Sequence, residues 1–332
     1  MTFFFILNIF ASLCIAYLVR KYSKRLAPTQ RCSHMDPTPV GGGIIFLSLF
    51  FINYFYFFGG VNLLSPISLI LILALAIAGI IDDFYYLSYK TRLLVQLALA
   101  ISLVASGYAV QMPLLENHHL YNLDTFLTLF LIVGLINACN FFDGLDGLLS
   151  GCFLLTIFFS LFFLSTHSTL IFTVLIPVLI FYAFNFPHAK IFMGDIGSTF
   201  LGFFLALLAL LNQQNYIYDT QTALIHKGLI YTLTPMMFAW FDIFFTLLKR
   251  IVEGRHLFTP WRDYPFHYLL RLGHSHVKIS LFYYMTVIFM STLTYLCMHG
   301  YLPFLLGFSL YAVLQIFYIV FILRKHYSLF HE

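Results

Sequence analysis

Residues 123–147, LDTFLTLFLIVGLINACNFFDGLDG, decide how the chain is read. Positions 123–140 form an apolar run whose only charge is Asp124, and the carboxylates of Asp143 and Asp146 follow directly. The run is continuous rather than alternating, so it predicts a membrane helix and not a barrel strand. Similar apolar stretches lie near 2–19, 43–58, 66–81, 93–110, 146–165, 169–186, 198–212, 227–248, 279–298 and 302–323, which makes eleven in all. The composition agrees, with 61% of the 332 residues hydrophobic and 9% charged. Soluble domains carry about 25% charged residues, and a spanning helix uses about 20 apolar ones. A soluble globule is therefore excluded. A net charge of +4 over this length builds no basic surface, which excludes a nucleic-acid partner. Cys14, Cys32, Cys139, Cys152 and Cys297 form no C-x-x-C pair, so neither zinc nor a disulfide framework is indicated.

Charge placement orients the helices. The first apolar run starts at Thr2–Phe3 without a basic leader, and Arg20, Lys21, Lys24 and Arg25 follow it, unlike a cleaved signal. Positive residues stay in the cytoplasm, so the N-terminus is expected outside. With eleven spans this places 16 of the 17 basic residues on the cytoplasmic side and leaves only Lys227 outside. The expectation is an all-α polytopic membrane protein of about 11 transmembrane helices, with the C-terminus cytoplasmic. Residues 1–332 read as one catalytic domain, with 249–278 as a cytoplasmic recognition loop inside it.

Five carboxylates meet the same face. Asp82 and Asp83 close the third apolar run, Asp143 and Asp146 follow the fifth, and Asp195 follows the seventh. Acids at membrane depth are costly and usually functional; the plain alternative is that they cap helices or pair with Lys90, Arg92 and Lys190. Clustered carboxylates need a cation to coexist, and oxygen ligands beside Asn favour Mg²⁺ or Mn²⁺. Mg²⁺ fills its remaining positions with phosphates and water, which points to phosphoryl or diphosphate chemistry. Two reactions stay open at this point: prenyl transfer from a prenyl diphosphate, and phosphosugar transfer to a lipid phosphate.

The motifs favour the second. Asn137-Ala-Cys-Asn140-Phe-Phe-Asp143-Gly-Leu-Asp146-Gly147 resembles the N-x-x-N-x-x-D-G-x-D-G signature of the polyprenyl-phosphate N-acetylhexosamine-1-phosphate transferase family. Phe192-Met193-Gly194-Asp195-Ile196-Gly197-Ser198, with Asn185 and Pro187 upstream, is similar to its F-M-G-D-x-G-S element. Asp82-Asp83-x-x-x-Leu87-Ser88-x-Lys90-x-Arg92 with Gln96 resembles its first acidic motif, and Arg31 to Gly43 resembles its R-S-x-H-x-x-P-T-P-x-G-G-G loop. Asp242 with Lys249-Arg250 matches a weaker element. The resemblance runs from about residue 28 to 276.

That resemblance implies transfer of a sugar-1-phosphate from a UDP-N-acetylhexosamine, or a derivative, to undecaprenyl phosphate, with release of UMP. It implies a bacterial inner-membrane enzyme whose active site faces the cytoplasm. Mg²⁺ (or Mn²⁺) would be held by Asp195 first and Asp143 second. Asp82, Asp83, Asp143 and Asp146 would form the catalytic set. His34, Lys90, Asn137, Asn140, Asn185, Arg262, His267 and Arg271 would bind substrate.

The recognition loop reads Trp261-Arg262-Asp263-Tyr264-Pro265-Phe266-His267-Tyr268-Leu-Leu-Arg271-Leu-Gly273-His274-Ser275-His276. It looks like the H-R-S-H-x-Y-Q-R-L…G-x-S-H form of members that initiate O-antigen, enterobacterial common antigen and teichoic acid. His267, Arg271, Gly273, Ser275 and His276 match, while Tyr264 replaces the first His and Leu270 the Gln. The triple His of the MurNAc-pentapeptide branch is absent. The bilayer is an obligate partner, and a homodimer is left open. The alternative enzyme is a Mg²⁺-dependent prenyltransferase. A cation-coupled transporter fits less well, because the acids sit at one face and no internal repeat is visible.

Overall fold

The computed structural model describes residues 2–26, 37–59, 63–111, 121–163, 168–213, 227–256 and 263–331. It divides into two compact units, residues 1–233 and 234–332. The first unit holds α1 (Thr2–Tyr22), α2 (Gly43–Phe58), α3 (Pro66–Tyr85), α4 (Tyr89–Ala105), α5 (Tyr121–Phe142), α6 (Leu148–Phe163), α7 (Ser168–Asn185), α8 (Gly194–Gln213) and α9 (Lys227–Leu233). The second holds a 3-10 turn (Thr234–Met236), α10 (Met237–Val252), α11 (Pro265–Arg271), α12 (His276–Met298) and α13 (Phe304–His331).

Each apolar stretch of the sequence becomes helix, and the chain is a multi-pass membrane protein. Among the described residues seven helical segments are long and apolar enough to cross a bilayer. Gly43–Phe58, Leu148–Phe162 and Ser309–Phe321 are apolar but shorter. Three features depart from the sequence reading. The stretch 227–248 is broken by the turn at Thr234–Met236, where Pro235 lacks the N–H that a continuous helix needs. The 249–278 loop contains the short helix α11. Two-residue strands β1 (Arg25–Leu26) and β2 (Thr38–Pro39) pair antiparallel.

The first unit is built around α8. Every residue from Ile196 to Gln213 is buried, so this helix is apolar all round instead of carrying one apolar stripe. It packs on α2, α3, α5 and α9. Membrane helices approach closely where small residues meet, and a Cβ on Gly43 of α2 would lie 2.3 Å from the Gly197 Cα of α8. Gly43 is thus spent on contact with α8, and a Cβ on Gly42 would lie 2.2 Å from the Phe181 ring of α7. Backbone bonds fasten the same corner: Phe192 N–H donates to Pro39 O (2.8 Å), Gly42 N–H to Phe192 O (2.8 Å) and Gly43 N–H to Met193 O (3.0 Å). Higher in the unit, Asn53 Nδ2 donates to Asn8 Oδ1 (2.8 Å) and Thr173 O (3.1 Å), which ties α1, α2 and α7 by polar bonds where water is scarce.

In the second unit α12 packs on α10 and α13. The buried Asp242 carboxylate of α10 accepts from Tyr283 of α12 and from Gln315 Nε2 of α13 (3.2 Å), and Tyr283 also meets the Tyr318 hydroxyl at 3.0 Å. A buried acid satisfied on both oxygens serves to join three helices.

Candidate active site

Helix ends of α3, α5 and α8, with the start of α4, bring the predicted carboxylates of the first unit together. Asp83, in the last turn of α3, accepts from the Asp195 N–H at the start of α8 (Asp83 Oδ1, 2.9 Å). A carboxylate at a helix N-terminus meets the exposed N–H groups and the positive end of the dipole. Gly194 makes the approach possible. Its φ is +76°, and a Cβ there would lie 2.4 Å from Asp83 Oδ2. That Oδ2 is buried and has no hydrogen-bond partner among the described residues.

Asp82 closes the α3–α4 corner. Its Oδ1 accepts from Leu87 N–H (2.5 Å) and its Oδ2 from Arg92 (2.7 Å). The same Arg92 nitrogen, NH1, donates to Asp195 Oδ2 at 2.8 Å. Asn140, near the end of α5, donates to Asp195 Oδ1 (2.9 Å) and Ser198 Oγ (3.1 Å). Asn137, one turn earlier, donates to Gln96 Oε1 of α4 (2.6 Å) and Val133 O (2.8 Å). The two asparagines of the motif therefore brace α5 against α4 and α8 on one helix face.

Asp143 is different. It follows α5, is half-buried, and makes no side-chain hydrogen bond or ion pair among the described residues. Burial first, and then the charges of Asp195, Asp83 and Asp146, push its carboxyl up to about 8. Asp146 is buried, and its Oδ2 accepts from the Ala189 N–H (3.2 Å). Asn185 is also buried: Oδ1 accepts from Gly147 N–H (2.9 Å) and Ser150 Oγ (3.2 Å), while Nδ2 donates to Ile191 O (3.0 Å). Its bonds are spent on fixing the D-G-x-D-G turn to the segment that precedes α8.

Among the described residues no three Asp, Glu, His or Cys side chains converge on one point. Mg²⁺ needs only one or two carboxylates when phosphates supply the rest. Hard oxygen donors, an Asp83 oxygen without a partner and an Asp143 carboxyl driven toward its neutral form fit such a cation. The raised Asp143 also makes a prediction. Between the ordinary carboxylate value near 4 and about 8, the folded state holds a proton that the unfolded chain has lost. Metal-free protein should therefore lose stability as pH rises through this window. Asp143→Asn should flatten that slope in thermal melts taken from pH 5 to 9; an unchanged slope would remove Asp143 as its source.

Lys90 does not join the cluster. It is exposed in the first turn of α4 and forms no ion pair among the described residues. Arg92 takes that place, as the plain pairing alternative had it. The helical period tells the two apart. Arg92, Gln96, Leu99 and Leu103 fall on one face, of which the last three are buried, whereas Lys90 lies off it. His34 and Arg262, with Arg31 and Trp261, lie outside the described residues.

The remaining predicted residues belong to the second unit. His267 is half-buried on α11, its ring 4.4 Å from that of Phe266. Arg271 is exposed and lies over the Tyr268 ring at 5.4 Å. Tyr264, standing where the family places a His, is 4% exposed, and burial pushes its phenol well up, so it stays neutral. The Arg250 guanidinium sits 5.0 Å from that ring and grips Asp263 through Nε (3.1 Å) and NH2 (2.5 Å). Arg250 is 1% exposed, so this pair anchors the segment that leads into α11 to the end of α10.

Residues 65–213, which hold all five carboxylates, match the glycosyl transferase family 4. The chain is 33% identical over 218 residues to a probable undecaprenyl-phosphate N-acetylglucosaminyl 1-phosphate transferase of Bacillus subtilis, covering 63% of this chain and 59% of that protein. It is 31% identical over 314 residues to the decaprenyl-phosphate N-acetylglucosaminephosphotransferase of Mycobacterium leprae, covering 85% and 79%. A phospho-N-acetylmuramoyl-pentapeptide-transferase of Streptococcus equi subsp. zooepidemicus is 30% identical over 261 residues, covering 71% and 75%. With the signature residues gathered at the head of α8 and relatives of this kind across most of its length, the chain belongs to the polyprenyl-phosphate N-acetylhexosamine-1-phosphate transferases of glycosyl transferase family 4, and it is a phosphoglycosyltransferase.

Proposed function

We propose that this enzyme moves a sugar-1-phosphate from a UDP-N-acetylhexosamine to undecaprenyl phosphate at the cytoplasmic face of a bacterial inner membrane, and so starts a cell-surface polysaccharide such as O-antigen. The observation that carries the reading is the meeting of Asp82, Asp83, Asn140 and Asp195 at the half-buried head of α8, with Asp143 beside them. N-acetylglucosamine is the sugar in the names of the Bacillus and Mycobacterium relatives and is our first choice. The missing triple His argues against the pentapeptide branch, while Tyr264 and Leu270 depart from the loop of the O-antigen and teichoic-acid form.

An oxygen of the acceptor phosphate attacks the β-phosphorus of the UDP-sugar. A new phosphoanhydride forms, the α–β anhydride breaks, and UMP leaves with the released electron pair. A phosphomonoester has its second pKa near 6, so the acceptor is already largely dianionic and needs little help from a base. Asp195 and Asp143 would hold Mg²⁺, which supplies charge stabilisation to the diphosphate. Asn140 keeps Asp195 oriented, and Asp83 fixes the N-terminus of α8 on which Asp195 stands. His267 and Arg271 are assigned to the UDP-sugar.

Purified protein given Mg²⁺, undecaprenyl phosphate and a panel of UDP-sugars should release UMP with one or two N-acetylhexosamine donors. Diphosphate release without any uridine requirement would favour the prenyltransferase instead. His267→Ala should raise KM for the UDP-sugar and leave the acceptor's KM in place; a rise for undecaprenyl phosphate alone would reassign the loop. The eleven-span, N-out topology has its own test. A cysteine at Glu253 should label only after permeabilisation, and one at Tyr301 from outside. The reverse pattern would invert the orientation.

A further inference from the structure

We propose that Arg92 is an exchangeable counter-ion that holds Asp195 until a divalent cation arrives, and then turns to the phosphates of the substrate. One guanidinium nitrogen lies 2.7 Å from Asp82 Oδ2 and 2.8 Å from Asp195 Oδ2, bridging α3 and α8 from the first turn of α4. With Arg92 in place every oxygen of the two carboxylates has a hydrogen-bond donor. The second Asp82 oxygen takes the Leu87 N–H, and the second Asp195 oxygen takes Asn140. The guanidinium offsets the repulsion between these two acids.

A guanidinium hydrogen-bonded to Asp195 Oδ2 and a hard cation ligated by that oxygen exclude each other, by space and by like charge. The geometry permits the exchange. The Arg92 side chain is 30% exposed, and the Asp82 and Asp195 side chains are 13% and 26% exposed, so the bridge opens to one side. Asn140 retains the other Asp195 oxygen, so the carboxylate keeps its direction when Arg92 leaves. A released guanidinium is matched to phosphate oxygens, which it can grip with two parallel bonds. Lys90 cannot substitute for it, since it points away from the cluster on an exposed face of α4.

The inference rests on the metal-assisted reading above, and the test separates the two. Mn²⁺ binding, followed by electron paramagnetic resonance without any substrate, is compared in wild type, Arg92→Gln and Arg92→Lys, together with thermal melts with and without Mn²⁺. Removing a competitor frees the binding-competent state. Arg92→Gln should therefore bind Mn²⁺ about tenfold more tightly than wild type, while its metal-free form melts lower and gains more from the ion. Arg92→Lys, a point charge that serves one carboxylate at a time, should fall between. In turnover, Arg92→Gln should lose kcat although its metal affinity has risen, a split that simple damage to the site would not produce. If wild type binds Mn²⁺ and Arg92→Gln binds it equally or more weakly, the counter-ion role is wrong and the metal reading survives. If none of the three binds Mn²⁺, the metal reading itself falls, and the exchange with it.

Discussion

Asp195→Asn is expected to lower kcat by about a thousandfold, the equivalent of roughly 4 kcal/mol of transition-state stabilisation. The change keeps the size of the side chain and removes the charge a hard cation requires. It also removes an acceptor. Asp195 takes Asn140 on one oxygen and Arg92 on the other, and an amide offers only one oxygen to the two donors. Steady-state kinetics across a Mg²⁺ titration should show the loss together with a weakened dependence on the ion. Wild-type kcat at saturating Mg²⁺ would place the cation on other residues.

Gly194→Ala should be nearly as damaging, through the fold. A side chain at φ +76° is strained by about 1–2 kcal/mol. The added Cβ would also lie 2.4 Å from Asp83 Oδ2 and 3.1 Å from Val40 Cγ2. Asp83 would have to leave the α8 N-terminus or α8 itself would have to shift, for a total of about 2–4 kcal/mol. Gly134→Ala is the matched control, since nothing lies within 4 Å of its Cβ and it sits inside α5. It should be neutral or slightly stabilising. Equal melting temperatures for the two variants would show that the Gly194 contact carries no load.

Lipid makes some of this legible in a sequence and leaves the rest dark. A spanning segment must satisfy its own backbone, so apolar length alone marks the helices. The turn at Pro235 falls in the least hydropathic of the seven spans, and the proline in Thr234-Pro235 is its signal in the sequence. The five carboxylates declared themselves because they close apolar runs on one face. Of the cations offered as their partners, Arg92 pairs with Asp82 and Asp195. Asn185 reads as a motif residue fit for substrate, yet its oxygen meets Gly147 N–H and its nitrogen Ile191 O, contacts that exist only once α7 has folded against the turn. Lys90 and Arg92 stand two apart in the same motif, and only the α4 helical period, with Gln96 and Leu99 buried, tells which one turns inward. Asp263, a loop acid in the sequence, is the partner of an almost fully buried Arg250.

Isotope transfer from undecaprenyl phosphate labelled with ¹⁸O in its phosphate distinguishes phosphosugar transfer from transfer of the lipid chain. Attack by the acceptor oxygen on the β-phosphorus keeps every labelled atom in the lipid-linked diphosphosugar. The account therefore predicts unlabelled UMP, formed one for one with a fully labelled lipid product. Label recovered in free phosphate or diphosphate, with the lipid chain transferred elsewhere, would mean that a carbon–oxygen bond had broken and would contradict phosphosugar transfer by this protein.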